Sequence, residues 1–306
     1  MRTSEPPTKN RDMFVAVLFL PFVAGNVFTE SSPKQVPEVT ERREYGKTYT
    51  IFDPCNTHKA GGRTVSCFQL LMKGHTKSGE YDIKPDNKNI TVYCDMETNG
   101  GGWTVIQRRD ASETYEENLF EKTDEEYEDG FGNASASFWI GTNNIHALTS
   151  HPSSDQVLRI KLTKENKETI IVQYGKFQVG PKSDRYRLTY AKFWSPNGTY
   201  HDYDGLVFHN QTRFLVVKEA ETGHFCSDSL ISGGWWMTSF GCLFSNLNGR
   251  KFKGHVPYRN RGHGITWHKL DYSSSYQNVY ETVEMKIRDV DYKFCTGQMA
   301  TLFSYS

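Results

Sequence analysis

Six cysteines, Cys55, Cys67, Cys94, Cys226, Cys242 and Cys295, constrain this 306-residue chain more than any other feature. None lies in a Cys-x-x-Cys pair, so zinc ligation by paired thiolates is not the expectation. An even set in a chain entering an oxidising compartment reads as a disulfide framework, and spacing alone leaves fifteen pairings open. The N-terminus points to that compartment. Arg2, Lys9 and Arg11 precede an apolar run from Met13 to Ala24, closed by the small residues Ala24 and Gly25. Such a run is too short for a hydrocarbon core of about 30 Å, which takes roughly 20 apolar residues. Residues 1–25 therefore read as a signal peptide. The mature chain is expected to be secreted and extracellular, with no membrane span. Four Asn-x-Ser/Thr sequons, at Asn89, Asn133, Asn197 and Asn210, fit a glycosylated export product.

Residues 26–53 are polar, without heptads or Gly-X-Y repeats, and read as a short linker. The texture then becomes that of a globular domain over 54–295, followed by a tail at 296–306. Alternating or β-rich runs cover Ile90–Cys94, Trp103–Arg108, Val157–Leu162, Thr169–Tyr174, Tyr186–Phe193 and Thr282–Ile287. Helix signals are few: an acidic stretch Glu113–Tyr127, and Asn143–Thr149 after an Asn cap. From Trp194 to Lys269 the chain is rich in Gly, Asn, Ser, His and aromatics with little periodicity, the mark of a loop-built region on a β scaffold. Formal charge is zero, with 36 basic and 36 acidic residues, so no global field exists to hold a nucleic-acid backbone.

Enzyme readings are thin. No Gly-x-Ser-x-Gly elbow, His-Glu-x-x-His pair or phosphate loop occurs. His255, His263 and His268 are irregularly spaced among Gly, Arg and Asn and read as solvated loop residues. The acidic run Asp124–Asp129 reads as a solvated helix end rather than a cation site. Gly100, Gly101 and Gly102 before Trp103 supply turn geometry where a β-carbon would clash. The tandem Trp235–Trp236 after two glycines reads as one buried anchor and one partly exposed ring, with both in the core as the alternative.

The stretch Val92–Arg109, VYCDMETNGGGWTVIQRR, resembles the entry to the fibrinogen C-terminal domain. Gly130–Gly132, Phe138–Gly141, Ile145–Thr149, Gly233–Trp236, Ser245–Gly249, Gly264–Trp267 and Glu284–Arg288 continue the resemblance in order. It implies an α+β fold: a central antiparallel sheet, few short helices and a loop-rich ligand-binding subdomain. It also implies the pairings Cys67–Cys94 and Cys226–Cys242. Resemblance to tachylectin-type members implies that Cys55 and Cys295 close the domain's ends, with a bridge between chains as the alternative.

Ficolins and tachylectins, which the chain resembles, bind acetyl groups of N-acetylated sugars on microbial surfaces. The resemblance places such a pocket beside the second bridge, at the Gly241–Cys242 bond, with Trp236, Phe240, Cys242, Leu243, Tyr258 and His263 as its lining. A small apolar slot with convergent donors suits a small ligand. Two departures stand out. Where the family carries an Asp-rich calcium loop, this chain reads Lys218–Cys226 without Asp. Glu219 and Glu221 would hold any Ca²⁺ with backbone oxygens, so calcium is a candidate cofactor and not a requirement. Met237–Gly241 is an insertion, and Leu243 stands where His is common. The expectation is a non-enzymatic lectin of innate immunity, a homo-oligomer that gains from linked sites. The alternative is a ligand for protein receptors or haemostatic partners, as in angiopoietin-like and venom relatives.

Overall fold

A computed structural model describes residues 42–44, 47–49, 64–85, 88–115, 119–150, 155–195, 202–216, 233–237, 244–252, 264–269 and 279–290. The chain divides into two compact units, Met1–Ile51 and Phe52–Ser306. In the first, β1 (Arg42–Glu44) and β2 (Lys47–Tyr49) pair antiparallel, with Arg42 opposite Tyr49 and Glu44 opposite Lys47.

The first described element of the second unit is α1 (Cys67–Met72), where the Ser66 hydroxyl accepts the Gln69 N–H and so satisfies one of the free donors of the first turn. Next come β3 (Gly79–Ile83), β4 (Ile90–Asp95) and β5 (Trp103–Arg109). Ile90, Val92 and Cys94 face inward while Thr91 lies exposed between them, the period-2 pattern of a half-buried strand. Cys67 and Cys94 form a disulfide with Cα atoms 5.5 Å apart and no exposure, tying α1 to β4. Between β4 and β5 the three glycines all have positive φ. At Gly101 a Cβ would land on the Met96 carbonyl, so no other residue fits.

Then follow α2 (Asp124–Asp129), β6 (Phe131–Gly132), β7 (Phe138–Trp139), α3 (Thr142–Thr149), β8 (Gln156–Thr163) and β9 (Thr169–Val179). β10 (Leu188–Thr189), β11 (Lys192–Trp194), β12 (Phe214–Val216), β13 (Gly234–Trp236) and β14 (Thr282–Asp289) complete the described elements. Among the described residues the main sheet is antiparallel, in the order β10-β9-β8-β14-β5-β4-β3, with β11 on β9 and β7 joining β5 to β6. β14 sits in the middle, Val283 opposite both Arg109 and Leu162. Its Val283, Met285 and Ile287 are core residues. Its Lys286 holds Asp95 at 2.6 Å and Glu284 at 2.7 Å. Arg288 lies 4.0 Å from the centre of the Trp103 ring and donates to the Asn99 and Gly101 carbonyls.

Five of the six expected strand runs are present with ends shifted by a few residues. The sixth, Tyr186–Phe193, is not one strand. Tyr186 has φ 50°, a left-handed backbone that ends extended structure, and the remainder splits into β10 and β11. Among its described residues the acidic stretch Glu113–Tyr127 is helical only from Asp124, where α2 begins and Thr123 and Glu126 form a reciprocal capping box. α3 starts at Thr142 after Gly141, with no Asn cap; Asn143 instead accepts the Tyr186 hydroxyl and Asn144 donates to the Ile140 carbonyl.

Glu113 is drawn out of the expected helix into the core. Its carboxylate holds Arg109 through two bonds, 2.9 Å and 2.5 Å, with both side chains 1% exposed. Removing one partner strands the other charge in a low dielectric. Glu113→Ala is expected to lower stability by about 3–5 kcal/mol, read from urea unfolding of the oxidised chain.

Candidate functional site

Among the described residues, two parts of the irregular region held against the sheet bear on the expected site. The segment Ser245–Lys251 is fixed from below: Gln107 donates to the Leu247 carbonyl at 2.9 Å, and Arg109 to those of Leu247 and Gly249 at 3.3 and 2.6 Å. Asn248 donates to the Gly234 carbonyl at 2.8 Å, and Asn246 exchanges backbone bonds with Thr266. The Ser245–Gly249 motif is therefore a structural clasp between sheet and loop region.

The second place is the ribbon of β12 and β13, in which Phe214 faces Trp236 and Leu215 faces Trp235. Trp236 is 1% exposed. Its ring lies 5.3 Å from Phe214 and 6.0 Å from Trp139, and its Nε1 donates to the Tyr186 carbonyl at 2.8 Å. Trp235 is fully buried as well, its ring set edge-on to that of Trp236 with centroids 5.1 Å apart. Successive residues of a strand ordinarily face opposite ways, but these two rings pack against each other and neighbouring side chains cover both, so both are core. This corrects the expectation of a partly exposed ring, and it removes Trp236 from the surface of any ligand slot. Close packing also demands Gly234, where a Cβ would come within 2.8 Å of the Phe214 ring.

Phe240, Cys242, Leu243, Tyr258 and His263 lie outside the described residues, as do Glu219, Glu221, His255, Asn197, Cys55, Cys226 and Cys295. Among the described residues no group of three or more His, Cys, Asp or Glu is arranged to hold a metal, and no helix is long and apolar enough to cross a membrane. His268 is 4% exposed, its ring set edge-on to Phe208 at 5.3 Å and Phe244 at 4.7 Å. It is a packed residue, not the solvated one expected, because aromatic neighbours cover it.

Within the turn Asp204–Thr212 the sequence singles out only Asn210, as a sequon. Tyr190 donates to both oxygens of Asp204, and burial raises that carboxyl above its ordinary range. His209 is fully buried. One ring nitrogen, Nδ1, contacts the Trp236 carbonyl at 2.5 Å and so carries the proton, leaving Nε2 neutral and unpartnered. Burial pushes its pKa down to about 4, with His268 adding to the effect and the Trp236 bond opposing it. The unfolded chain therefore binds the extra proton. Stability is whole above the ordinary value of about 6.5 and falls as pH drops toward 4, by about 3 kcal/mol in all. In His209→Asn, which keeps a donor for Trp236 but cannot titrate, unfolding midpoints are expected to vary less over that window.

The sequons differ in availability. Asn89 and Asn133 are exposed. Asn210 is half-buried and pairs in two places with Tyr190, Oδ1 accepting its N–H and Nδ2 donating to its carbonyl, both at 3.2 Å. An N-linked sugar makes a trans secondary amide, replacing the hydrogen on the same side as Oδ1, the one this pairing uses. Glycopeptide mass spectrometry is expected to find sugar at Asn89 and Asn133 and none at Asn210.

A central antiparallel sheet with few short helices, clasped to a loop-rich second half, is the architecture of a fibrinogen-like globe. The family model for the C-terminal globular domain of fibrinogen beta and gamma chains matches residues 63–290, and the chain belongs to this family. Angiopoietin-related protein 7 of Bos taurus is 33% identical over 249 residues, covering 78% of this chain and 65% of that one. Fibrinogen C domain-containing protein 1 of Homo sapiens is 34% identical over 234 residues, 73% of this chain and 46% of that one. The chain thus spans less than two thirds of the length of either. The fibrinogen-like globe domain of human ANGPTL2 superposes with a TM-score of 0.62 at 29% identity, covering 74% of this chain and 99% of that one. Lamprey fibrin D-dimer, complexed with the peptide Gly-His-Arg-Pro-amide, gives 0.60 at 25% identity, covering 84% and 83%. These relatives are angiopoietin-related, fibrinogen C domain-containing and fibrin proteins, whereas the sequence alone had suggested the ficolin and tachylectin branch.

Proposed function

We propose that this chain is a secreted recognition protein that docks on a protein receptor rather than a lectin. The observation that carries it is the burial of Trp236. An acetyl slot needs an accessible aromatic wall, and this ring is closed off between Trp139, Phe214 and Tyr186. Two relatives lend support by name: one is angiopoietin-related, and the lamprey fibrin carries a peptide ligand. The buried Cys67–Cys94 bridge supports export through an oxidising compartment. Glu219 and Glu221 remain the residues proposed for Ca²⁺. Self-association of the globe is proposed as the source of any multivalency, since residues 26–53 carry no coiled-coil or collagen repeat.

The test uses the labelled full chain on intact cells, read by flow cytometry. Binding is expected to saturate, to be lost after brief trypsin treatment of the cells, and to persist with excess N-acetylglucosamine. An EDTA arm reports on calcium. Retention on N-acetylglucosamine resin, with elution by the free sugar, would overturn the proposal in favour of the lectin.

A further inference from the structure

Two tyrosines stand among carboxylates in the sequence, and the structure treats them in opposite ways. Tyr127 lies in α2, where all the other residues from Asp124 to Asp129 are acidic. It is 1% exposed, and its hydroxyl donates to the Phe120 carbonyl at 2.7 Å. Tyr115 has Glu113 two residues before it and Glu116 and Glu117 directly after it. It is 37% exposed, and its hydroxyl makes no hydrogen bond among the described residues. Lys251 Nζ lies 5.9 Å from the ring centre but is committed to the Asp110 carbonyl at 2.6 Å.

The backbone is equally open. Residues 110–115 and 119–123 are neither helix nor strand. Exposed irregular chain of this kind can be drawn into an enzyme's groove, and a paired strand cannot. Tyr81, between Glu80 and Asp82, fails on that ground: it lies in β3 opposite Val92, and its hydroxyl donates to the Lys77 carbonyl. Tyr203, between Asp202 and Asp204, is half-buried, its carbonyl accepting the Trp267 indole and the Gly205 N–H.

The hydroxyl of Tyr115 also feels carboxylates from other parts of the chain. Partial burial first, then Glu281 and Glu165, raise its pKa above the ordinary phenol value, with Lys167 opposing. The oxygen is therefore neutral at physiological pH, and any group transfer to it needs a base. An enzyme that moves an anionic group from an anionic donor carries a cationic groove, which attracts an acid-flanked tyrosine. In the export pathway the chain folds and closes its bridges, so exposure in the folded state decides which tyrosine is reached. A sulfate ester adds one negative charge beside these carboxylates, where a phosphate adds about 1.5 to 2 and meets more repulsion.

We propose that Tyr115 is a sulfation site, its phenol oxygen taking a sulfuryl group from a nucleotide-linked sulfuric–phosphoric anhydride, an inference resting on the export reading above. The aryl O–S bond forms as the bond from sulfur to the phosphate oxygen breaks. The phenol proton passes to a base of the transfer enzyme, the nucleotide phosphate leaves with the electron pair, and nothing is oxidised or reduced.

The test expresses the full-length chain in cultured animal cells grown in labelled sulfate. Protein recovered from the medium is freed of N-linked sugars and digested with trypsin. Cuts after Arg109 and Lys122 release residues 110–122 with Tyr115 as the single tyrosine, and the next peptide, 123–159, holds Tyr127 as its single one. Peptide 110–122 is expected to carry the label and the added mass of one sulfuryl group, to resist alkaline phosphatase, and to lose both when chlorate blocks synthesis of the donor. Peptide 123–159 is expected to stay unlabelled. Tyr115→Phe is expected to clear the label from 110–122 and to leave the unfolding midpoint unchanged, since the hydroxyl has no bond to lose. An unlabelled 110–122 peptide, from cells that sulfate a co-expressed acidic tyrosine substrate, overturns the assignment while export stands. So does a group that phosphatase removes, or label on 123–159 alone. A chain never released to the medium overturns the export reading and this one with it.

Discussion

Arg109 carries a permanent charge into the core, and an ion taken out of water is tolerated there only when each of its donors finds an oxygen. Every one of its three nitrogens has a partner: Glu113 supplies two oxygens and the carbonyls of Leu247 and Gly249 two more, while the Phe120 ring lies 4.0 Å from the guanidinium carbon. Ser137 donates to Glu113 at 2.8 Å and accepts from the Asp110 N–H, which draws in the β6–β7 hairpin. Three parts of the chain far apart in sequence thus meet around one charge. An apolar replacement of similar volume could fill the space, but it would not specify which carbonyls must face it. The pair's contribution is to uniqueness of arrangement as much as to stability.

Beyond that clasp the aromatic ribbon takes over. Tyr127, Trp139, Phe214 and Trp236 have ring centroids between 5.3 and 6.0 Å apart in edge, tilted and stacked pairs. Such pairs each contribute roughly 0.5–1.5 kcal/mol beyond the area they bury. They also commit both tryptophans of the Gly-Gly-Trp-Trp motif to structure. The turn that sits on this ribbon through His209 and Trp236 inherits its stiffness.

Much of the sheet could be read in advance, because Ile90–Cys94, Val157–Leu162 and Thr282–Ile287 alternate as a half-buried strand must. Gly101 was legible for the same kind of reason: only glycine tolerates its backbone and its neighbour. Other features left no trace in composition. Tyr186 is left-handed without being Gly or Asn, a conformation imposed by the bonds of its own carbonyl to Trp236 and of its hydroxyl to Asn143. Glu113 looked like part of a helix because its attraction to Arg109 depends on the sheet already being in place. At Trp235–Trp236 strand alternation predicts one inward and one outward ring, but the two rings meet edge-on and His209 and Phe214 pack against them.

The position of β14 has a consequence for how the molecule comes into being. It follows every other described strand in the chain, yet it occupies the centre of the sheet, between β5 and β8. Until residues 282–289 arrive, the growing chain can form two half-sheets, one ending in β5 and the other in β8, each with an open edge of unpaired amides and carbonyls. Those edges are templates for pairing with another chain. Pairings so distant in sequence also close slowly, since the loop entropy must be overcome before any contact rewards it. Folding of this globe is therefore a late, nearly all-or-none event, and the nascent protein passes through its most aggregation-prone form just before β14 is made.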